Sequence, residues 1–149
     1  EEFMIDDQIL ETYRKELCHP VSGAVDFLQI GCPNCSVEEI QKIERYMRGK
    51  HVKKGVRFCV FTNVAQYELA RLSHLIESLN KSGVEVLTSG CILRCINVAH
   101  GANGIGLSSA KLANYSKTER TVPVYYGTEQ EVMDAAISGY WNVSDEVKR

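Results

Sequence analysis

Two pairs of cysteines are the residues whose type and spacing most directly suggest chemistry. Cys32 and Cys35 form a Cys-x-x-Cys pair in "GCPNC", and Cys91 and Cys95 form a Cys-x-x-x-Cys pair in "CILRC". Four thiolates can bind zinc tetrahedrally, and thiolate is also the ligand that holds iron–sulfur clusters. A redox dithiol at the first pair is a third reading, because a helix start lowers the pKa of a nearby thiol. Packing of small residues in turns would give the same spacing.

A second group of residues suits the binding of an anion. Ser108 and Ser109 stand at a predicted helix start in "LSSAKLANY", and Lys111 follows in the first turn. Backbone N–H groups at a helix start point outward, and the helix dipole favours negative charge there. The segment therefore predicts a site for a carboxylate or phosphate, while a plain helix cap beside a surface lysine remains the alternative.

The strands that must position these residues are short apolar runs. We predict them in "AVDFLQI", "VRFCVFTN", "VEVLTSG" and "TVPVYYG". The last should lie at a sheet edge, because proline cannot donate a ladder hydrogen bond. Between the third and fourth strands, "CILRCINVAHGANGIGL" has three glycines and little periodicity, so we predict a long loop there.

Helices are predicted beside these strands from capping residues and apolar spacing. Their predicted starts are Asp6 or Asp7, Ser36, Asn63, Ser108 and Thr128. Two of these starts, at Ser36 and Thr128, carry a capping box, in which a glutamate follows three positions later. The helix after Asn63 is predicted to run unbroken to Gly83. Its predicted core-facing stripe consists of Leu69, Leu72, Ile76 and Leu79.

Strands that alternate with helices of about ten or more residues form βαβ units. We predict a single three-layer α/β domain over residues 1–149, with a mainly parallel, four-stranded sheet and helices on both faces. Right-handed crossovers bring the carboxyl ends of the strands to one edge, where ligands bind. The residues expected at that edge are Cys32, Cys35, Thr62, Asn63, Cys91 and Cys95. A plain βαβ alternation disfavours the mixed sheet of a thioredoxin fold.

Composition excludes several classes of function. The chain has 149 residues, 44% of them hydrophobic, and a net charge of -2, which gives no electrostatic attraction for nucleic acid or an anionic membrane. No apolar run approaches the roughly 18 residues of a membrane span, and no signal-peptide pattern is present. We therefore expect a cytoplasmic protein, in which six cysteines indicate metal or redox chemistry rather than a disulfide framework. Cys59, inside the apolar run "VRFCVF", is expected to be a small buried apolar residue, and Cys18 an ordinary residue after a helix.

Several segments resemble the aconitase X family. "FLQIGCPNCSVEEIQKI" resembles its Gly-Cys-Pro-His segment, "LTSGC" resembles its Asp-Thr-Cys segment, and "SSAKLANY" is similar to its Asn-Ser-Ala-Lys segment. "VYYGTEQEVMDAAISGYW" resembles the closing strand and helix of the family. The resemblance covers residues 20–140 and implies an aconitase-like domain from the C-terminal part of the large subunit or region. The chain is then expected to be a fragment of a larger hydro-lyase.

This resemblance implies a metal cofactor. Cys32 and Cys91 match the family's cysteines and would ligate an iron–sulfur cluster, expected to be 4Fe–4S. Cys35 and Cys95 are additional thiols and further candidate ligands. The third ligand and the catalytic base would come from the N-terminal remainder of the large subunit and from a small subunit. The isolated chain should then be inactive, with its cluster absent or incomplete.

The resemblance also implies a substrate. A member would dehydrate a small hydroxy acid, such as phosphomevalonate or an aconitase-like substrate, using the cluster as a Lewis acid. Ser109 and Lys111 match the Ser-Ala-Lys portion and would hold the substrate anion, with Ser109 as the candidate catalytic residue. The further candidate substrate ligands are Ser108, Thr62 and Asn63. Asn34 departs from the family's histidine, and a zinc-binding or thiol-redox module without dehydratase activity is the alternative function.

Overall fold

The computed structural model describes residues 4–18, 22–88, 99, 101–119 and 121–142. The helices in this part of the chain are α1 (Asp7–Leu17), α2 (Val37–Met47), α3 (Val64–Leu72), α4 (Leu75–Lys81), α5 (Ala110–Glu119) and α6 (Glu129–Ser138). The strands are β1 (Gly23–Ala24), β2 (Phe27–Cys35), β3 (Arg57–Thr62), β4 (Val84–Leu87), β5 (Ile105–Leu107), β6 (Val124–Tyr126) and β7 (Tyr140–Trp141). None of the helices within these ranges is long and apolar enough to span a bilayer.

The main sheet is fully parallel and has the order β4-β3-β2-β5-β6. Helices pack on both of its faces, so the predicted three-layer α/β class is confirmed. β6, which begins directly after Pro123, lies at an edge as predicted. β1 and β7 form a separate antiparallel ribbon.

The sheet has five described strands instead of the predicted four, because β5 lies in the segment for which the sequence predicts a long loop. β5 is only three residues long and has a glycine at its centre, so it carries no strand periodicity. Gly106 is required there by packing: a Cβ atom would lie 2.9 Å from the Trp141 ring and 3.1 Å from Leu28. The glycine that allows the indole to lie on the sheet also hides the strand from a sequence pattern.

Alternation along the strands divides the core between the two faces of the sheet. One cluster packs under α2, α4 and α6, and its largest fully buried members are Leu28, Ile30, Ile40, Ile43, Met47, Phe58, Leu79, Tyr125 and Trp141. The other packs under α5 and comprises Phe27, Cys59, Phe61, Ala99, Ile105, Leu107, Leu112, Ala113 and Val124. We call these two sides the α2 face and the α5 face.

The order of the strands creates a switch in direction at β2. The chain winds from β2 through β3 to β4 on one side, and then continues on the other side of β2 with β5 and β6. The helices that connect strands in the two halves consequently cover opposite faces, with α2 and α4 on one face and α5 on the other. α6, which follows the last strand of the main sheet, packs on the same face as α2 and α4. The gap between the carboxyl ends of β2 and β5 is the place where sheets of this kind bind ligands.

The helix after Asn63 is broken, which contradicts the predicted continuous stripe. α3 ends at Leu72 and α4 begins at Leu75, with His74 at φ +57° in the left-handed region between them. The break changes the rotational phase of the helix. Leu69 and Leu72 are 49% and 67% exposed, whereas Ile76 and Leu79 are buried.

The apolar residues of α1 are also exposed, although the helix begins at its predicted cap. Asp6 accepts a hydrogen bond from the Ile9 N–H at 2.8 Å. No residue of α1 is buried, and Leu10 and Tyr13 are 58% and 62% exposed. Arg14 instead fixes the helix through a two-point ion pair with Glu131, at 2.6 and 2.8 Å.

The helix break gives a direct test with two matched leucines. Leu79→Ala should lower the free energy of unfolding by about 2–5 kcal/mol, because it removes fully buried atoms and leaves a cavity. Leu72→Ala should change it by less than about 0.5 kcal/mol. Urea unfolding followed by circular dichroism measures both. Equal losses for the two variants would restore the continuous stripe and contradict the break.

Candidate functional site

The first cysteine pair lies on an irregular end of β2. The pairs Ile30–Val60 and Cys35–Thr62 are in register between β2 and β3. Residues Gly31–Asn34 therefore lie opposite a single residue of β3 and protrude from the sheet. We call this segment the Cys32 bulge. Bulges at the end of a strand redirect side chains, and this one carries Cys32 at the carboxyl edge of the central strand.

Three contacts with β3 hold the Cys32 bulge. Gly31 has φ +95°, and a Cβ atom there would lie 2.3 Å from the carbonyl oxygen of Phe61. The buried Thr62 hydroxyl donates to the Cys35 carbonyl oxygen at 2.6 Å. With its amide oriented toward the nearby carbonyls, Asn34 Nδ2 donates to the Thr62 carbonyl oxygen at 3.1 Å. Both ends of the bulge are thereby fixed to one neighbouring strand.

The two thiols of the Cys-x-x-Cys pair pack on opposite sides of the sheet. Cys32 is partly exposed and contacts the cluster of the α5 face. Cys35 is 3% exposed within the cluster of the α2 face. Both are free thiols. The pair therefore separates into one accessible thiol and one core residue.

Burial sets the protonation of the core thiols. Desolvation raises the pKa of Cys35 to about 12, and the nearby carboxylates of Glu39 and Glu129 act in the same direction. Desolvation likewise raises the pKa of Cys59 to about 12 in β3. These thiols stay protonated at neutral pH, which makes them poor nucleophiles and metal ligands. The prediction that Cys59 is a buried apolar residue is confirmed.

The predicted anion-binding segment lies beside the Cys32 bulge. Leu107, the last residue of β5, is in register with Gln29 of β2. Ser108 directly follows Leu107, and Cys32 follows Gln29 by three residues, so both segments continue from the same carboxyl edge of the sheet at the switch point. Ser108 and Ser109 are partly exposed and Lys111 is exposed.

The helix after β5 begins one residue later than predicted. Ser109, and not Ser108, caps α5: its hydroxyl accepts from the Leu112 N–H at 3.3 Å. The N–H groups of Ala110 and Lys111 belong to the first turn and have no acceptor within the helix. The first-turn N–H groups of α5 therefore lie at the carboxyl end of β5, next to the crevice between β5 and β2, and Lys111 is exposed in the same turn.

The starts of α2 and α3 are capped by side chains of the chain itself. Ser36 and Glu39 form the predicted capping box on α2, and the Gln66 side-chain oxygen accepts from the Val37 N–H at 2.7 Å. Asn63 caps α3 by accepting from the Gln66 N–H at 3.0 Å. Asn63 therefore has a structural contact, and its predicted role toward substrate, like that of Thr62, stays a prediction. Sequence reasoning missed Gln66, which no motif identifies.

Gln29 is a second residue that sequence reasoning missed. It is 2% exposed on the central strand, on the same face as Phe27. Its side-chain oxygen receives no hydrogen bond from the residues that the structure describes. Buried acceptors of this kind nearly always receive a hydrogen bond, so we expect a further donor to the Gln29 side-chain oxygen on the α5 face, near the crevice.

The second cysteine pair cannot be placed in this site. Cys91 and Cys95 lie outside the described residues, which resume at residue 99. Within the described ranges, no three His, Cys, Asp or Glu side chains are close enough together to hold a metal ion. A four-thiol site therefore stays a prediction, and Cys32 is the described thiol that borders the crevice.

The fold is an α/β domain whose parallel sheet has a switch point between β2 and β5, the place where domains of this kind bind ligands. Residues 25–138 match the aconitase X third domain. The chain therefore belongs to the aconitase X family, as the resemblance implied.

Individual relatives agree with this assignment. The chain is 31% identical over 123 residues to cis-3-hydroxy-L-proline dehydratase of Hypocrea jecorina (strain QM6a), a match that covers 81% of this chain and 21% of the relative. It is 29% identical over 90 residues to the phosphomevalonate dehydratase large subunit of Methanothermobacter thermautotrophicus, covering 60% of this chain and 22% of that subunit. The chain thus spans about a fifth of the length of these curated relatives.

A solved structure gives the same fold. The holo form of Thermococcus kodakaraensis aconitase X superimposes with a TM-score of 0.77 at 22% sequence identity. The match covers 90% of this chain and 34% of that chain. The aconitase-like α/β architecture that the sequence predicted is confirmed.

The buried thiol at Cys35 predicts a specific pH dependence. Its folded-state pKa of about 12 lies above the ordinary value of 9.0, so the unfolded chain loses this proton first as pH rises. The free energy of unfolding should fall between these pH values by up to about 1.4 kcal/mol per pH unit for this thiol. Urea unfolding at several pH values should give a shallower decline for Cys35→Ala. A slope equal to that of the wild type would contradict the buried thiol.

Proposed function

We propose that this chain is a domain of an iron–sulfur-dependent dehydratase that removes water from a small hydroxy acid. The observation that carries the proposal is the position of Cys32: an accessible thiol on the central strand, at the switch point and beside the start of α5. The family and the dehydratase names of its relatives support the reaction class. The activity belongs to the larger protein, because this chain spans only part of its relatives.

Cys32 fits the role of one cluster ligand, since iron–sulfur clusters are held by thiolates. Cys18, Cys35 and Cys59 do not fit it, because all three are buried and burial raises the pKa of each thiol. The remaining ligands must come from elsewhere, and Cys91 is the candidate within this chain. A 4Fe–4S cluster needs at least one further thiolate from the rest of the protein.

The topology supports a role for Cys91 at the same crevice. β4 ends at Leu87 and is separated from β2 by one strand, which corresponds to about 10 Å across the sheet. Cys91 follows Leu87 by four residues, and four residues can span up to about 14 Å. The carboxyl ends of β2 and β4 lie at the same edge, so the chain is long enough to bring the two thiols together.

When bound, the cluster would supply a Lewis-acidic iron at the position where the substrate hydroxyl becomes a leaving group. This chain's own residues would bind and orient the substrate. The first-turn N–H groups of α5 and the Lys111 ammonium would hold its carboxylate or phosphate. The Ser109 hydroxyl borders the same space and could accept or donate a hydrogen bond to the reacting acid.

The relatives indicate the class of substrate. Phosphomevalonate and cis-3-hydroxy-L-proline are both hydroxy acids that carry at least one anionic group. An anion-binding helix start beside a Lewis-acidic cluster suits that combination of a carboxylate and a departing hydroxyl. The catalytic base and a partner chain are assigned to the rest of the assembly, since the archaeal relative is named as a large subunit.

The alternative, a zinc or thiol-redox module, has less support. A redox dithiol requires both sulfurs of the Cys-x-x-Cys pair within bonding distance, whereas Cys32 and Cys35 pack against different faces of the sheet. A four-thiol zinc site would also have to extract Cys35 from the core. Both roles need a rearrangement of the Cys32 bulge that the dehydratase role does not need.

The ligand assignment is testable in the full-length polypeptide, reconstituted anaerobically with iron and sulfide. Cys32→Ser should abolish most of the visible iron–sulfur absorption, because it removes a thiolate that faces the crevice. Cys59→Ala, a change at a buried thiol, should keep it. Retention of the full absorption by Cys32→Ser would refute the assignment. Stoichiometric zinc that depends on both Cys32 and Cys35 would favour the alternative.

The anion site is testable by steady-state kinetics of the same assembly. Lys111→Met and Ser109→Ala should each raise KM roughly tenfold or more for the hydroxy acid, because each removes a charge-assisted contact. Lys81→Met, at the far end of α4, should leave KM unchanged and serves as the control. Both phosphomevalonate and cis-3-hydroxy-L-proline would be assayed. Unchanged KM values for Lys111→Met would place the anion elsewhere.

A further inference from the structure

We infer that Thr62 and Asn34 are positioning residues, which hold the Cys32 bulge so that Cys32 faces the crevice. The role of Cys32 as a cluster ligand rests on the proposed function, but the bracing itself rests on contacts within this chain. Thr62 was predicted as a substrate ligand from its place at the sheet edge. Its contacts assign it to the support of the bulge instead.

The Cys32 bulge needs bracing because it departs from the ladder. Its four residues face one residue of β3, so strand pairing cannot fix their conformation. Gly31 turns the chain out of the sheet at φ +95°. It lies against the Phe61 carbonyl, which leaves no room for a side chain at this position. The return to the sheet at Cys35 depends on what holds that end.

Thr62 holds the returning end. Its hydroxyl is fully buried and donates to the Cys35 carbonyl oxygen at 2.6 Å, across the in-register pair of the two strands. Because the Thr62 hydroxyl donates to a backbone carbonyl, it fixes the path of the main chain at Cys35. Removing a buried donor leaves the acceptor unsatisfied, which disfavours the same path. The hydroxyl of Thr62, at the end of the apolar run "RFCVFT", therefore has a structural role.

Asn34 completes the bracing from the exposed side. With its amide turned so that the nitrogen faces the two carbonyl groups, Asn34 donates to the Thr62 carbonyl oxygen at 3.1 Å and to the Pro33 carbonyl oxygen at 3.0 Å. Thr62 therefore donates to one end of the bulge through its side chain and accepts from the bulge through its backbone. The two bonds tie the returning end of the bulge, at Asn34 and Cys35 shortly after Cys32, to β3.

The bracing determines which thiol is available. With the bulge held, Cys35 stays in the core of the α2 face and Cys32 stays on the α5 face, beside the start of α5. If the bulge loosens, Cys35 gains access to solvent and the direction of Cys32 is no longer fixed. Thr62 and Asn34 would then affect metal binding without contacting metal or substrate.

Alkylation of the full 149-residue chain by iodoacetamide tests the bracing without any cluster. Peptide mass spectrometry would measure the labelling rate of Cys35 relative to that of the buried Cys59. Thr62→Val keeps the shape and removes the donor, so it should raise this ratio at least about fivefold. Thr62→Ser should restore the wild-type ratio. Thr118→Val, which removes a hydroxyl that donates to the Tyr115 carbonyl on the surface of α5, is the matched control and should leave the ratio unchanged.

Asn34→Ala gives a second, independent variant, because Asn34 is exposed and its loss should not prevent folding. It should raise the Cys35 labelling ratio in the same direction. Wild-type ratios in both Thr62→Val and Asn34→Ala would overturn the inference. If Thr62→Val does not fold, the result for Asn34→Ala decides alone.

The reconstituted full-length protein separates this inference from the proposed function. Thr62→Val should speed the loss of iron to a chelator, and Thr62→Ser should restore the wild-type rate. If Cys32→Ser keeps the cluster while Thr62→Val still exposes Cys35, the bracing is right and the ligand assignment is wrong. If Cys32→Ser loses the cluster and neither bracing variant changes labelling, the ligand assignment is right and the bracing is wrong.

Discussion

Parallel pairing of the central strand on both sides is the constraint on which the rest of this structure depends. β2 pairs with β3 on one side and with β5 on the other. The chain winds away from β2 in both directions, so the helices that connect the strands of the two halves cover opposite faces. The gap between the carboxyl ends of β2 and β5 is the place where folds of this kind bind their ligands. The positions of Cys32 and of the α5 start follow from this arrangement.

Burial then decides what the cysteines can do. Strand alternation sends Cys59 to one face of the sheet, and the Cys32 bulge delivers Cys35 to the core of the other. Both are held protonated by the loss of solvent around them. Cys32 remains partly exposed, because the bulge moves it out of the hydrogen-bonded pairing between β2 and β3. The Cys-x-x-Cys spacing suggests that Cys32 and Cys35 act as a pair, but packing gives the two thiols different environments and therefore different chemistry.

Local signals in the sequence predicted much of the fold. Capping at Asp6, Ser36, Asn63 and Thr128 depends on short-range hydrogen bonds, and the structure contains each of them. The apolar strands and the edge position of the strand after Pro123 were also predictable, because each depends on a short stretch of sequence. The family was also recognisable, because its segments combine rare residue types in a fixed order.

The errors concern features that tertiary contacts decide. β5 has a central glycine because Trp141 lies against it, and a three-residue strand has no period to detect. The left-handed conformation of His74 breaks a helix whose leucine spacing predicts continuity. At the site, spacing alone could not reveal that Cys35 belongs to the core or that the Thr62 hydroxyl is directed at backbone. Those facts depend on how β2 and β3 fit together.

The convergence of two distant thiols on one crevice is the central claim, and thiol cross-linking measures it most directly. The full-length protein would be treated with dibromobimane, which joins two thiols only when they are close, and the linked peptides identified by mass spectrometry. The account predicts a link between Cys32 and Cys91, which Cys32→Ser abolishes and Cys59→Ala leaves unchanged. Linkage of Cys32 to Cys35, or of Cys91 to Cys95 alone, would contradict it.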